Sequence, residues 1–321
     1  MVILTFAAKR RCDIGSDAPL LPEDVPTPVR SETAERLIRE TPDRLSDELL
    51  AEVARGATGA TEAAFFDLDK TVIARSAVFA FGREMYRDGL LSTTTLLKGM
   101  YAQAVYQLVG ADHEKMEQMR TALLQLTKGW QAERVGRIVR ETLEEVIVPI
   151  VFKEALELFD EHRAAARDLW LVSSSGYEIV RPLADHLGVA NVIATRSRVD
   201  EDGRFDGELE FYAYGPHKAV ALRQVAEVRG YDLSRCYAYT DSVTDLPMLY
   251  SVGNPVAVNP DRELRAAAQA MGWPIMDFSS PVTLRSRLPG RPKTPVLVGV
   301  GMAALAGAAA WKLTRRSEQP V

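Results

Sequence analysis

Two acidic pairs, each set directly after a short apolar run, constrain this chain more than any other feature. Ala63-Ala64-Phe65-Phe66 leads into Asp67 and Asp69, and Cys236-Tyr237-Ala238-Tyr239-Thr240 leads into Asp241 and Asp245. Apolar runs of this length read as strands buried on both faces of a parallel sheet. In an open parallel sheet the ligand crevice lies beyond the carboxyl ends of the strands, which is where both pairs fall. Two residues apart on an extended chain, Asp67 and Asp69 point to one side. Four apart at a helix start, Asp241 and Asp245 are neighbours. Either pair alone has an ordinary reading, as a turn closing a strand or as a helix cap. Four carboxylates at one sheet edge, however, repel and raise one another's pKa unless a hard cation neutralises them, and oxygen ligands of this kind suit Mg²⁺.

Two further element ends supply what an anion needs. Ser173 closes the run Asp168-Leu-Trp-Leu-Val-Ser173, and Ser173, Ser174, Ser175 and Gly176 put backbone N–H groups at a helix start. Lys218 opens a helix after the Gly215-Pro216 turn and adds a cation. A lone lysine is usually a solvated charge and a serine triplet usually a loop; the combination at the same edge is what carries weight.

The rest of the chain alternates strand and helix signals around these ends, so the fold class is α/β with a doubly wound, Rossmann-like parallel sheet. Residues 1–60 form an N-terminal extension, proline-rich and irregular at first and then helical from Ser31 to Arg55. The catalytic core spans 61–78 and 166–280. Residues 79–165, rich in Leu, Ala, Met, Glu and Arg with no proline before Pro149, read as an inserted all-helical cap. Residues 196–214 read as a small hairpin at the sheet edge.

The tail, 281–321, differs in kind. A basic linker precedes an uncharged run from Pro295 to Trp311, 17 residues long, followed by Lys312, Arg315 and Arg316. That length lies at the lower limit for crossing a bilayer, so a C-terminal hydrophobic helix over 295–313 is expected to associate with a membrane, with the catalytic domain on the cytoplasmic side. The alternative is an Ala-rich helix on a soluble cytoplasmic protein. Gly299, Ala303 and Gly307 form a small-residue stripe that would let a second copy approach, which gives a homodimer.

Charge excludes one class of partner. With 39 Lys+Arg against 44 Asp+Glu and a net charge of −5, no basic field is available for nucleic acid. Cys12 and Cys236, the only two cysteines, support neither a disulfide framework nor a zinc cluster, and the opening MVILTFAAKRR has the wrong charge order for a signal peptide. A reducing compartment is expected.

FFDLDKT, LVSSS, Lys218 and YTDSVTD follow the order and spacing of the four motifs of the haloacid dehalogenase-like hydrolases. The resemblance is closest to the phosphoserine-phosphatase-like branch, with its helical cap between the first and second motifs. It implies a Mg²⁺-dependent phosphomonoester hydrolase in which Asp67 is the nucleophile forming an aspartyl-phosphate and Asp69 the general acid and base. It further implies that Thr71 orients Asp69, and that Ser173, Ser174 and Lys218 contact phosphoryl oxygens. Asp67, the Asp69 carbonyl and Asp241 would hold Mg²⁺, with Asp245 in support. The substrate would be a small phosphorylated metabolite or a lipid phosphate. Phosphoserine phosphatases place a Glu nine residues after the nucleophile, and here Ser76 stands there, so histidinol phosphate and lysophospholipids are alternatives to phosphoserine. A membrane-tethered, non-catalytic binding protein of the same fold is the alternative outside enzymology.

Overall fold

The computed structural model describes residues 32–41, 44–92 and 113–279, with only the backbone of 113–119. The chain divides into two units, Met1–Thr283 and Leu284–Val321; the second, with the expected hydrophobic helix at 295–313 and its dimer stripe, lies outside the described residues. Among the described residues no helix is long and apolar enough to cross a membrane.

Helices α1 (Glu32–Glu40) and α2 (Asp47–Arg55) precede β1 (Ala63–Asp67). α3 (Ala77–Ala80), α4 (Gly82–Arg87), α5 (His113–Thr127), α6 (Ala132–Val146) and α7 (Lys153–Ala164) lead to β2 (Asp168–Gly176) and α8 (Tyr177–His186). β3 (Asn191–Val199), β4 (Phe205–Phe211), α9 (Pro216–Arg229), β5 (Tyr237–Thr240) and α10 (Leu246–Leu249) follow. β6 (Asn254–Val258), α11 (Arg262–Met271) and β7 (Ile275–Met276) complete the sheet, ordered β4-β3-β2-β1-β5-β6-β7. Every pairing is parallel except β3 with β4. β1 lies at the centre, where the winding changes direction, and Asp67 is its last residue.

The run AAFFD forms this central strand because each residue is buried and alternate side chains feed opposite faces. Phe66 stacks on Tyr239, ring centroids 4.3 Å apart, and meets the Phe159 edge at 4.7 Å. Phe65 packs on the other face against Trp170. Burying each such ring stabilises the sheet by about 1.5–3 kcal/mol.

Two segments sit differently from the sequence reading. The inserted helical stretch does not run unbroken to residue 165: α7 lies on the sheet, with Ala155, Leu158, Phe159 and His162 forming its buried stripe. The insertion's two linkers run side by side, since Ala74 N–H donates to the Ile150 carbonyl (2.7 Å) and Phe152 N–H to the Val72 carbonyl (2.9 Å). At the hairpin, β3 itself continues to Val199 as the first arm, turning through 200–203 into β4.

The helical part of the N-terminal extension packs on the core. Ser46 caps α2 by accepting the Leu49 N–H, and Ile38, Leu45 and Leu49 join the apolar layer that includes Leu222 and Val225 of α9. Arg223 of α9 makes a two-pronged ion pair with Glu35, at 2.8 and 2.9 Å, and the Leu45 N–H donates to Gln224.

His162 is fully buried on α7, sharing a 2.8 Å hydrogen bond with the Tyr239 hydroxyl while its Nδ1 has no partner. Burial, aided by the nearby charge of Arg167, pushes its pKa down to about 3. An unfolded histidine titrates near 6.5, so between that pH and about 3 the unfolded chain binds the proton that the folded one refuses. Stability present above pH 6.5 is therefore lost as pH falls. Urea unfolding across this window should show wild type losing up to about 1.4 kcal/mol per pH unit more than His162→Gln; parallel curves would show that His162 titrates normally.

Candidate active site

Lys218 is where the carboxyl edge of the sheet comes together. Gly215, at φ 54° and ψ −125°, turns the chain so that Pro216 starts α9 and Lys218 points inward. The Lys218 side chain is 5% exposed, and its Nζ donates to Asp67 Oδ1 at 2.6 Å and to Asp245 Oδ2 at 2.7 Å. The Thr240 hydroxyl donates to the same Asp245 oxygen at 2.7 Å, whereas Asp245 Oδ1 is buried without a partner. Asp245 lies in a 3₁₀ turn, Val243–Asp245, and Leu246 begins α10.

Asp69 lies just past β1. Its Oδ1 accepts the Ala77 N–H at 2.8 Å, and Ser76 also hydrogen-bonds its carboxylate. The Thr71 hydroxyl is buried without a hydrogen-bond partner, so Ser76 and not Thr71 contacts the Asp69 carboxylate. Ser76 is the residue at the position where the phosphoserine-specific pattern calls for Glu.

Ser173 is buried and Ser174 exposed. β2 continues past Ser173 to Gly176, with a shift of register against β3, and α8 begins only at Tyr177. The Ser175 N–H donates to Ser173 Oγ at 3.1 Å, and the Ser174 carbonyl accepts from Thr195. The serine run thus ends a strand, and Gly176 at its end caps the helix that follows.

Asp241 and Asp245 hold different partners. Asp241 Oδ2 lies 3.5 Å from the Nζ of Lys70. Asp261 fixes this loop: its N–H donates to the Asp241 carbonyl (2.8 Å), its Oδ2 accepts from Val243 N–H (2.9 Å), and its Oδ1 caps α11 through Leu264 N–H (2.8 Å). Sequence reasoning gave Thr240, Asp261 and Lys70 no role in the site. Asp261 carried one visible signal, an acid three residues before an apolar helix position.

Burial first, then the charges of Asp245 and Asp241, raises the Asp67 carboxyl well above the ordinary range, with Lys218 opposing. Burial likewise raises Asp69, against hydrogen bonds from Ala77 and Ser76, and lifts Asp241 to about 6 against the pull of Lys70. Burial alone would lower Lys218, but Asp245 and Asp67 hold it above its usual range. Among the described residues no three acidic, His or Cys side chains form a ready-made metal cage. Yet two carboxylates that burial disfavours, and an oxygen of Asp245 left bare, are a donor set that fits a hard divalent cation held partly by backbone oxygen.

Residues 64–250 match the family described as haloacid dehalogenase-like hydrolase. The chain is 51% identical over 259 residues to the inhibition of morphological differentiation protein of Streptomyces azureus, covering 79% of this chain and 94% of that one. It is 48% identical over 260 residues, 80% of this chain and 90% of the other, to a Mycobacterium tuberculosis protein bearing the name "probable phosphatase". It is also 34% identical over 220 residues, 68% of this chain and 71% of the other, to a phosphoserine phosphatase of the same species. The chain belongs to the haloacid dehalogenase-like hydrolase family, whose phosphatases generally use Mg²⁺.

Removing Lys218 leaves Asp67 facing Asp245 with no ammonium between them. In metal-free protein Lys218→Met should cost roughly 3 kcal/mol of unfolding free energy. Adding Asp67→Asn should restore more than half of that loss. Urea unfolding in the presence of chelator checks both, and additive losses would mean that the three groups are not coupled.

Proposed function

We propose that this protein is a Mg²⁺-dependent phosphomonoester hydrolase acting through an aspartyl-phosphate on Asp67. The observation that carries the reading is the Lys218 ammonium held between Asp67 and Asp245 at the end of the central strand. Lys218 occupies Asp67 Oδ1, leaving Oδ2 to attack phosphorus. The new Oδ2–P bond forms as the bond to the leaving oxygen breaks, and Asp69 gives its proton to that oxygen. Asp69 then takes a proton from the water that attacks phosphorus, which releases phosphate and regenerates Asp67. The raised pKa of Asp69 favours its first task, since a general acid must still hold its proton near neutral pH.

Mg²⁺, when bound, would supply positive charge opposite the phosphoryl oxygens, and Asp67, the Asp69 carbonyl and Asp241 would hold it. Asp245 keeps Lys218 aimed, and Lys218 with Ser173 and Ser174 offers donors to the oxygens over which the transition-state charge spreads.

The substrate is a small phosphorylated metabolite or a lipid phosphate. Ser76 hydrogen-bonds Asp69 and brings no carboxylate to meet an ammonium group, which favours substrates other than phosphoserine. Asp67→Asn should lower turnover of p-nitrophenyl phosphate with Mg²⁺ by at least about a hundredfold while the fold is retained. A variant keeping more than about a tenth of wild-type kcat would rule out the covalent route.

A further inference from the structure

Lys70 adopts a left-handed backbone, φ 61°, which a side chain with a Cβ resists and glycine accepts freely. The conformation is held from outside. Asn259, itself at φ 44°, donates its Nδ2 to the Lys70 carbonyl at 3.2 Å, and its Oδ1 accepts the Phe278 N–H at 2.8 Å. An observed backbone outlier beside an active site asks what the residue does there. Here the side chain delivers an ammonium to the rim of Asp241, 3.5 Å from Oδ2.

The two lysines of the site differ in kind. Lys218 is 5% exposed and gripped by two carboxylates, so it is a fixed part of the structure. Lys70 is 61% exposed and reaches from solvent to a carboxylate that is 9% exposed, so it can withdraw without leaving a buried charge of its own. Asp241 cannot withdraw.

We propose that Lys70 is the built-in counter-ion of Asp241, a positioning residue that neutralises this carboxylate in the metal-free protein and is displaced when Mg²⁺ binds, thereby weakening the apparent metal affinity. A dication drawn to Asp67 and Asp241 repels the ammonium 3.5 Å from Asp241 Oδ2, and the exposed lysine side chain relieves that repulsion by swinging back into solvent. The inference rests on the Mg²⁺-dependent reading above.

Calorimetric titration of Mg²⁺ into metal-free wild type, Lys70→Met and Lys70→Gly tests it, together with melting temperatures with and without metal. Both variants should bind Mg²⁺ about three- to tenfold more tightly, in line with loss of one partly exposed ion pair and its repulsion of the metal. Lys70→Met should melt lower than wild type without metal, and the gap should close at saturating Mg²⁺. Lys70→Gly, which suits the left-handed turn, separates charge from backbone: its affinity should shift in the same direction. In activity assays, half-saturation by Mg²⁺ should move while kcat at saturation changes less. If Lys70 only shapes the turn, Lys70→Met melts like wild type with and without metal and neither affinity moves; that result overturns the inference. Wild type that binds no Mg²⁺ overturns it together with the Mg²⁺-dependent function, whereas wild-type binding with unchanged variants overturns it alone.

Discussion

A buried ammonium between two buried carboxylates sets the terms for everything at the carboxyl edge of this sheet. Lys218 tolerates burial only because Asp67 and Asp245 both accept from it, and they tolerate one another only because Lys218 stands between. The surrounding architecture holds this arrangement in place. β1 ends at Asp67, Thr240 ends β5 with its hydroxyl on Asp245, and Gly215 supplies the turn that sends Lys218 inward. Arg223, farther along the same helix, ties α9 outward to Glu35 and across to Ser251. The N-terminal helices thus brace the element that bears the site's central cation, although by sequence they stand outside the core.

Much of the site was legible because its residues carry their meaning in the type and position of the side chain. Asp67, Asp69, Asp241, Asp245 and Lys218 each stand at an element end, next to an apolar run or a Gly-Pro turn, and strands buried on both faces leave an apolar trace. What escaped were relations that spacing does not encode. Asp241 and Asp245, four apart, hold different lysines because a 3₁₀ turn intervenes where an α-helical start was read. Asp261 reads as an ordinary cap, and only the fold brings its second oxygen to Val243. α7 has the same helical composition as α6, and its Phe159 and His162 become sheet-facing only once Phe66 and Tyr239 are known to lie beneath. The serine run reads as backbone N–H groups at a helix start, and only the ladder with β3 shows that the strand itself continues to Gly176.

The route from β1 into the insertion links the chemistry to the cap. Asp69 follows Asp67 by two residues; the chain then bends, with Val72 and Ile73 N–H both donating to the Leu68 carbonyl, and passes the returning segment at Ile150–Phe152. Two peptide linkers lying side by side, joined by a pair of backbone hydrogen bonds, are the natural pivot of an inserted unit. Immediately beyond this pivot, Ser76 and Ala77 start α3, and both hydrogen-bond the Asp69 carboxylate. The proposed proton donor is therefore fixed at its backbone to the sheet and at its carboxylate to the first helix of the insertion. A displacement of α3 relative to β1 must either carry the carboxylate with it or break the Ala77 N–H bond that opposes the rise in its pKa. Either way the position and proton affinity of Asp69 follow the insertion, so α3 and the carboxylate of the proposed proton donor move together or lose their bond.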